Sequence, residues 1–195
     1  MEIKEVVLKS ANPLEYGDEV VRCRVIQNVD INAYLDTIPG DREIIATKIA
    51  PISARTGVVG EEVHTVLYTY RNGKKYVLSE ENSIVKERDM GDETKKPDIV
   101  VTNIQSTSNE QYVVKANKFA QMYAPNSDGT FTPNPDERLL SQVDEDIIII
   151  TAWGSEAVCL AGSYIVTYNA DENDFNTIEQ GAYESTYAAS NAKTL

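Results

Sequence analysis

Three stretches of this sequence combine residue types and spacings that can do chemistry. In Ala54-Arg55-Thr56-Gly57-Val58-Val59-Gly60-Glu61 an arginine stands beside two glycines. Glycines free the backbone to present amide N–H groups, and a guanidinium fork grips phosphate or carboxylate. Arg55, Thr56, Gly57 and Gly60 are therefore candidate ligand-binding residues. The alternative is a glycine-bearing loop in which Arg55 pairs with a neighbouring acid. Two acidic runs follow, Asp144-Glu145-Asp146 and Asp171-Glu172-Asn173-Asp174. Carboxylates suit hard cations such as Mg²⁺ or Ca²⁺, but neither run has the spaced Asp-x-[Asp/Asn]-x-[Asp/Asn]-Gly pattern. No metal is assigned. Asp144, Glu145, Asp146, Asp171, Glu172 and Asp174 read instead as partner-docking acids or as solvated turns. Trp153, beside Gly154 at a predicted hairpin tip, is either a docking anchor or a cover for the adjacent strands.

Other chemistry finds no support. His64 is the one histidine, its local sequence offers only carboxylates, and it reads as a surface or half-buried strand residue. There is no Gly-x-Ser-x-Gly nucleophile turn and no Gly-x-x-x-x-Gly-Lys-[Ser/Thr] phosphate loop. The expectation is a protein that is not an enzyme, with no catalytic residue and no cofactor. Cys23 and Cys159 are too few for a disulfide framework and too far apart for a zinc motif, so both are expected reduced and buried.

Charge narrows the partner. The net charge is −13, and residues 126–195 hold 2 basic against 12 acidic side chains. Such a surface repels phosphates, which argues against direct nucleic-acid binding. It suits a partner with a basic surface. The longest apolar run, Ile147–Ile150, is far short of the roughly 20 residues that cross a bilayer. Met1–Glu5 does not resemble a secretory leader, so no membrane contact and a cytoplasmic location are expected.

These residues need elements to hold them. Apolar alternation predicts strands over Val20–Ile26 and Glu43–Ile49, with Asp30 capping a short helix over Ile31–Leu35. Pro51–Gly60 reads as a loop. Asn72-Gly73 joins a hairpin, because both residues tolerate positive φ. Ser79–Lys96 reads as a polar loop with a turn of helix. Strands follow at Ile99–Asn103 and Gln111–Lys115 around a Ser/Thr/Asn-rich turn, then a helix over Ala116–Tyr123. Pro125 to Pro135 marks a linker. Beyond it come a hairpin around Trp153-Gly154-Ser155, a strand at Tyr164–Tyr168, an acidic turn, a helix over Gln180–Tyr187 and a fraying tail.

The pattern repeats. Asp98-Ile99-Val100-Val101-Thr102 aligns with Ser163-Tyr164-Ile165-Val166-Thr167, 65 residues on, and Phe119 and Tyr123 align with Tyr183 and Tyr187, 64 residues on. Fixed-period similarity points to two copies of one supersecondary unit. The blocks Pro97–Asn103 with Lys115–Phe119, and Ala161–Thr167 with Ala182–Tyr187, resemble the PGDYG protein family of bacteria and tailed phages. The first copy lacks the glycines of the name-giving motif, and the second carries Ser163 in place of its aspartate. The resemblance implies a duplicated architecture and a bacterial or phage origin, and supplies neither catalytic residue nor ligand.

The expected fold is α+β: an N-terminal β-containing segment (1–56), a first β-rich module (57–125) and a second, acidic one (126–195). Val101, Val113, Phe119, Ile165, Ile178 and Tyr183 are the expected shared core. The expected function is a non-enzymatic bacterial or phage protein that docks an acidic face on a basic protein, as would an inhibitor mimicking nucleic-acid charge. A small-ligand or nucleotide-binding protein, and a minor structural or assembly protein that self-associates into a homo-oligomer, are the alternatives.

Overall fold

A computed structural model describes residues 1–105 and 109–190. The middle of the Ser/Thr/Asn-rich turn and the end of the expected tail lie outside them. Along the chain run β1 (Ile3–Ser10), β2 (Glu19–Ile26), α1 (Ile31–Leu35), β3 (Glu43–Lys48), β4 (Ser53–Thr56), β5 (Glu62–Arg71), β6 (Lys74–Ile84), β7 (Glu87–Asp89), β8 (Lys95–Pro97) and β9 (Ile99–Thr102). There follow β10 (Gln111–Val114), α2 (Ala116–Met122), β11 (Tyr123–Pro125), β12 (Phe131–Pro133), β13 (Glu137–Gln142), β14 (Ile147–Ile150), β15 (Glu156–Cys159), β16 (Tyr164–Asn169), β17 (Asp174–Ile178), α3 (Gln180–Thr186) and β18 (Tyr187–Ala189). The fold is β-rich, with few and short helices.

The chain forms two compact units that interleave in sequence, rather than three consecutive segments. Unit 1 comprises residues 1–47, 69–76 and 136–195, and unit 2 residues 48–68 and 77–135. The expected boundaries at 56 and 125 therefore do not coincide with the units. The passage at Pro135 does fall in the proline-rich stretch.

In unit 1, β1 pairs antiparallel with β2, β2 parallel with β14, and β14 antiparallel with β15. Ile147, Ile148 and Ile149 of β14 are fully buried. A strand with a neighbour on each side and both faces covered reads as a continuous apolar run rather than an alternation. A second sheet has the order β17-β16-β13-β3-β18. Ile26, Ile31, Tyr34, Val143, Ile147, Ile149, Cys159, Ile165 and Phe175 pack into one core. Ala46, Leu140, Tyr164 and Val166 form another, with Tyr183 and Tyr187 packed on it.

In unit 2, β9 pairs with β10 and β4. Ile52, just before β4, exchanges two backbone hydrogen bonds of 2.9 Å with Phe131 of β12, and β12 pairs with β11. Ile52, Val101 and Tyr123 centre one cluster, with Phe119 and Phe131 against it, and Val63, Val85 and Val100 centre a second that takes Val113. The six residues expected to share one core thus divide among clusters internal to each unit.

Local expectations fare unevenly. Asn72 (φ 51) and Gly73 (φ 74) make the hairpin turn, and α1 spans the expected residues. Asp30 makes no side-chain capping bond. β4 lies inside the expected Pro51–Gly60 loop, and Ser79–Lys96 is the rest of β6 plus the β7–β8 hairpin, without a helical turn. β11 and β12 occupy the expected linker.

Cys23 and Cys159 are free and buried. Burial, followed by the Asp146 carboxylate, pushes the Cys23 thiol up to about 11; burial above all drives the Cys159 thiol upward as well. Burial likewise raises Tyr34 to about 12. These are acids held neutral. Above their ordinary values of 9.0 and 10.0 the unfolded chain sheds protons that the folded chain retains, so stability falls as pH rises. Urea unfolding at about pH 8 and about pH 10.5 should show the loss at the higher pH. A thiol reagent should label neither cysteine before unfolding. Rapid labelling of the native protein would contradict this placement.

Candidate binding site

The Arg55 loop is closed upon itself. Arg55 Nη1 donates to Glu61 Oε2 at 2.9 Å and its Nη2 to Glu61 Oε1, and the Val58 N–H donates to Glu61 Oε2 at 3.1 Å. The Arg55 hydrogen bonds, with help from Val58, hold the Glu61 carboxyl down at about 2. Gly57 donates its N–H to the Asp98 carbonyl at 2.9 Å. A Cβ there would lie 2.8 Å from both Val85 methyls. That glycine serves close packing. Gly60 has φ 89 and donates to the Val85 carbonyl, and Thr56 ends β4. The fork expected to grip a ligand is filled by the protein's own carboxylate.

The first acidic run is also engaged, within unit 1. Asp144 pairs with Arg42 at 2.5 Å, Glu145 with Arg24 at 2.5 Å, and Asp146 with Arg71 at 3.1 Å. The Arg42 bond holds Asp144 below the usual carboxylate range. Asp146 is mostly buried and also accepts the Ala161 N–H at 2.9 Å. Three arginines from distant parts of the sequence thus neutralise three consecutive acids.

The second run is different. Asp171 and Glu172 are exposed in the β16–β17 turn, Asn173 adopts φ 51, and Asp174 is half-buried. None of the three takes part in an ion pair among the described residues. The turn is tied to α1 and the helical turn before it. Asn28 Nδ2 donates to the Asn173 carbonyl at 2.9 Å, and Asn32 Nδ2 to the Ala170 carbonyl at 3.1 Å and to Asn173 Oδ1 at 2.9 Å. Asp36 lines the same hollow as Asn32 and Ala170, so it stands beside the turn that carries Asp171 and Glu172, whereas Asp30 lines a different hollow with Arg24 and Tyr34. The sequence reading missed Asp36 and took Asp30 only as a helix cap. No local spacing links Asp36 to residues some 140 positions away.

Trp153 projects from the β14–β15 turn and is 61% exposed. Gly154 (φ 84) donates to the Thr151 carbonyl, and the Ser155 N–H donates to Thr151 Oγ1, so the turn is well tied. The indole does not fold back over the strands. His64 is a surface residue of β5, its Nδ1 2.5 Å from Asn82 Oδ1 and its Nε2 3.5 Å from Glu80. Among the described residues no three His, Cys, Asp or Glu side chains gather closely enough to hold a metal ion.

Unit 2 holds two further groupings that sequence reading missed. Lys48 Nζ lies 3.5 Å from the Tyr112 hydroxyl, which lies 3.0 Å from that of Tyr123. Burial lowers the Lys48 amine and raises the nearby Glu110 carboxyl. Lys48 and Tyr112 stand 64 residues apart, and no motif connects them. In the other, Asp98 accepts from Arg88 Nε at 3.1 Å and from the Lys86 N–H at 3.0 Å, with only 1% of its side chain exposed. Compared with family models, curated proteins and solved structures, the chain matches none, so its own residues carry the functional reading.

Proposed function

We propose that this is a non-enzymatic binding protein that docks the acidic surface of unit 1 on a basic protein partner. The patch built by Asp36, Asp171 and Glu172 carries this reading. Its carboxylates take part in no ion pair among the described residues, in a unit with 10 Lys and Arg against 20 Asp and Glu; unit 2 has 8 against 11. Fields of one sign steer a partner of the opposite sign and speed its encounter. Trp153 supplies a large amphipathic anchor of the kind that dominates interface energy. Asp144, Glu145 and Asp146, being neutralised, support the scaffold rather than the contact. A phage inhibitor mimicking nucleic-acid charge fits this chemistry, as does a cytoplasmic location. No described helix is long and apolar enough to cross a membrane. Capture of partners from a bacterial lysate should fall steeply between about 0.05 M and about 0.5 M salt, because screening shortens the reach of exposed charges. Capture indifferent to salt would refute the reading.

The scaffold for this surface, in our reading, is a duplicated α+β module of the kind that the PGDYG resemblance implies. Several matched features support it. Both α2 and α3 have seven residues, follow an antiparallel strand pair and end in a tyrosine that opens a short strand. Phe119 stacks on Tyr123 at 5.0 Å, and Tyr183 on Tyr187 at 6.1 Å. The Gly57 N–H to Asp98 carbonyl bond recurs as Val143 N–H to Ser163 carbonyl, each 2.9 Å. The strand sequence β10-β9-β4-β12-β11 in unit 2 then corresponds to β17-β16-β13-β3-β18 in unit 1. Yet β3 leads along the chain into β4, and β12 into β13. Each copy thus contributes its first strand to the other unit, which accounts for the crossings at 47/48 and 135/136; the tip of the β5–β6 hairpin, residues 69–76, is a separate insertion into unit 1.

A further inference from the structure

Unit 2 contains a cavity of about 440 Å³ lined by Asn82, Ser83 and Ile84 of β6, Lys86, Arg88, Asp98, Val113 and Lys115. Three cationic side chains meet there in a chain of net charge −13. One carboxylate accompanies them, and it is already committed. Asp98 Oδ1 accepts from Arg88 Nε and Oδ2 from Arg88 Nη2 at 3.4 Å, while the Lys86 backbone N–H takes a further site on Oδ2. The buried aspartate fixes the guanidinium in one plane, and Arg88 Nη1 makes no hydrogen bond among the described residues. Lys86 and Lys115 are exposed at the rim and take part in no ion pair among the described residues.

We propose that this cavity binds a phosphate-bearing small molecule, independently of the acidic docking surface of unit 1. After Asp98 is offset by Arg88, two positive charges remain, which matches a phosphate dianion better than a single carboxylate. Arg88 offers a fixed fork edge, the lysines offer mobile point charges, and Ser83 and Asn82 offer neutral donors. Ile84 and Val113 form an apolar wall, and the volume lies in the range that takes a small organic molecule rather than a bare ion. The corresponding place in unit 1 is built with the opposite sign. Where Lys115 precedes α2, Glu179 precedes α3 and accepts the Ala182 N–H, and Ser163 stands at the position of Asp98.

The test uses the full chain, titrated with inorganic phosphate, AMP and ATP, with acetate as the carboxylate control. Amide NMR shifts on the unaltered protein should move around Lys86, Arg88 and Lys115 with the phosphate-bearing probes and not with acetate. Lys86→Ala with Lys115→Ala should weaken AMP binding about tenfold, about 1.4 kcal/mol, because two exposed and solvent-screened ammonium groups are lost. Lys95→Ala with Lys118→Ala removes the same charge from unit 2 outside the cavity and should leave affinity unchanged. A stronger response to AMP than to phosphate would place the organic part against Ile84 and Val113; equal responses would reduce the ligand to the phosphate group itself and overturn the small-molecule assignment. No shifts near the cavity at millimolar probe, or equal weakening by both double variants, would overturn the site. Loss of lysate capture by unit 1 would leave this result untouched, so the two readings fail separately.

Discussion

Replacing Phe175 with alanine lowers the unfolding free energy by about 3–5 kcal/mol. Phe175 is fully buried, opposite Thr167 in the β16–β17 pair. It packs in the core of unit 1 with Ile31, Tyr34, Ile147, Ile149 and Ile165. These come from strands and a helix far apart in sequence, so a hole there cannot close by moving one loop. The cost combines lost transfer energy with the cavity left behind. Phe175→Leu, which retains most of the volume, should cost well under half as much. Urea unfolding followed by tryptophan fluorescence measures both variants. A Phe175→Ala loss below about 1 kcal/mol would show that the residue is not the centre of this core.

Asp146→Ala should cost about 2–3 kcal/mol, far more than either neighbouring acid would suggest. Its side chain is 16% exposed, against 66% for Asp144. One carboxylate serves two partners: Arg71 from the tip of the β5–β6 hairpin, at 3.1 and 3.2 Å, and the Ala161 N–H after β15. Removing it leaves the Ala161 N–H without this acceptor and takes away one of Arg71's two carboxylates. Arg71 keeps Glu19 at 2.9 Å, which limits the damage. Asp144→Ala should stay within the scatter of surface substitutions, because its partner Arg42 remains solvated. Comparable midpoints for the two variants would show that Asp146 is no buttress.

How much of this was legible in the sequence depended on the range of the interactions involved. The Asn72-Gly73 turn, α1, β16 and the seven-residue helices ending at Tyr123 and Tyr187 rest on local signals: turn chemistry, short periodic runs and aromatic spacing. β1, β4 and β13 were not foreseen. Each is held by partners elsewhere, as with β13, which lies between β3 and β16. β2 pairs in parallel with β14, some 120 residues on, and no hairpin signal announces such a pairing. The same holds for the candidate sites. The acidity of unit 1 was visible as composition, but which acids stay unpaired was not. Arg24, Arg42 and Arg71 each lie far along the chain from the carboxylate they neutralise. Lys86 and Arg88 alternate along an extended stretch, a spacing that points both side chains to one face. Asp98, which positions Arg88, stands ten residues away across a turn.

The docking reading is tested most directly by two triple variants of equal net charge. Asp36→Asn with Asp171→Asn and Glu172→Gln removes three unpaired acids from the unit 1 patch. Glu81→Gln with Glu87→Gln and Asp89→Asn removes three from unit 2. Each is compared with the unaltered protein for low-salt capture of its basic partners. The account predicts that the first loses capture and the second keeps it. If both lose capture alike, total charge alone attracts the partner; if only the second does, the docking face lies on unit 2.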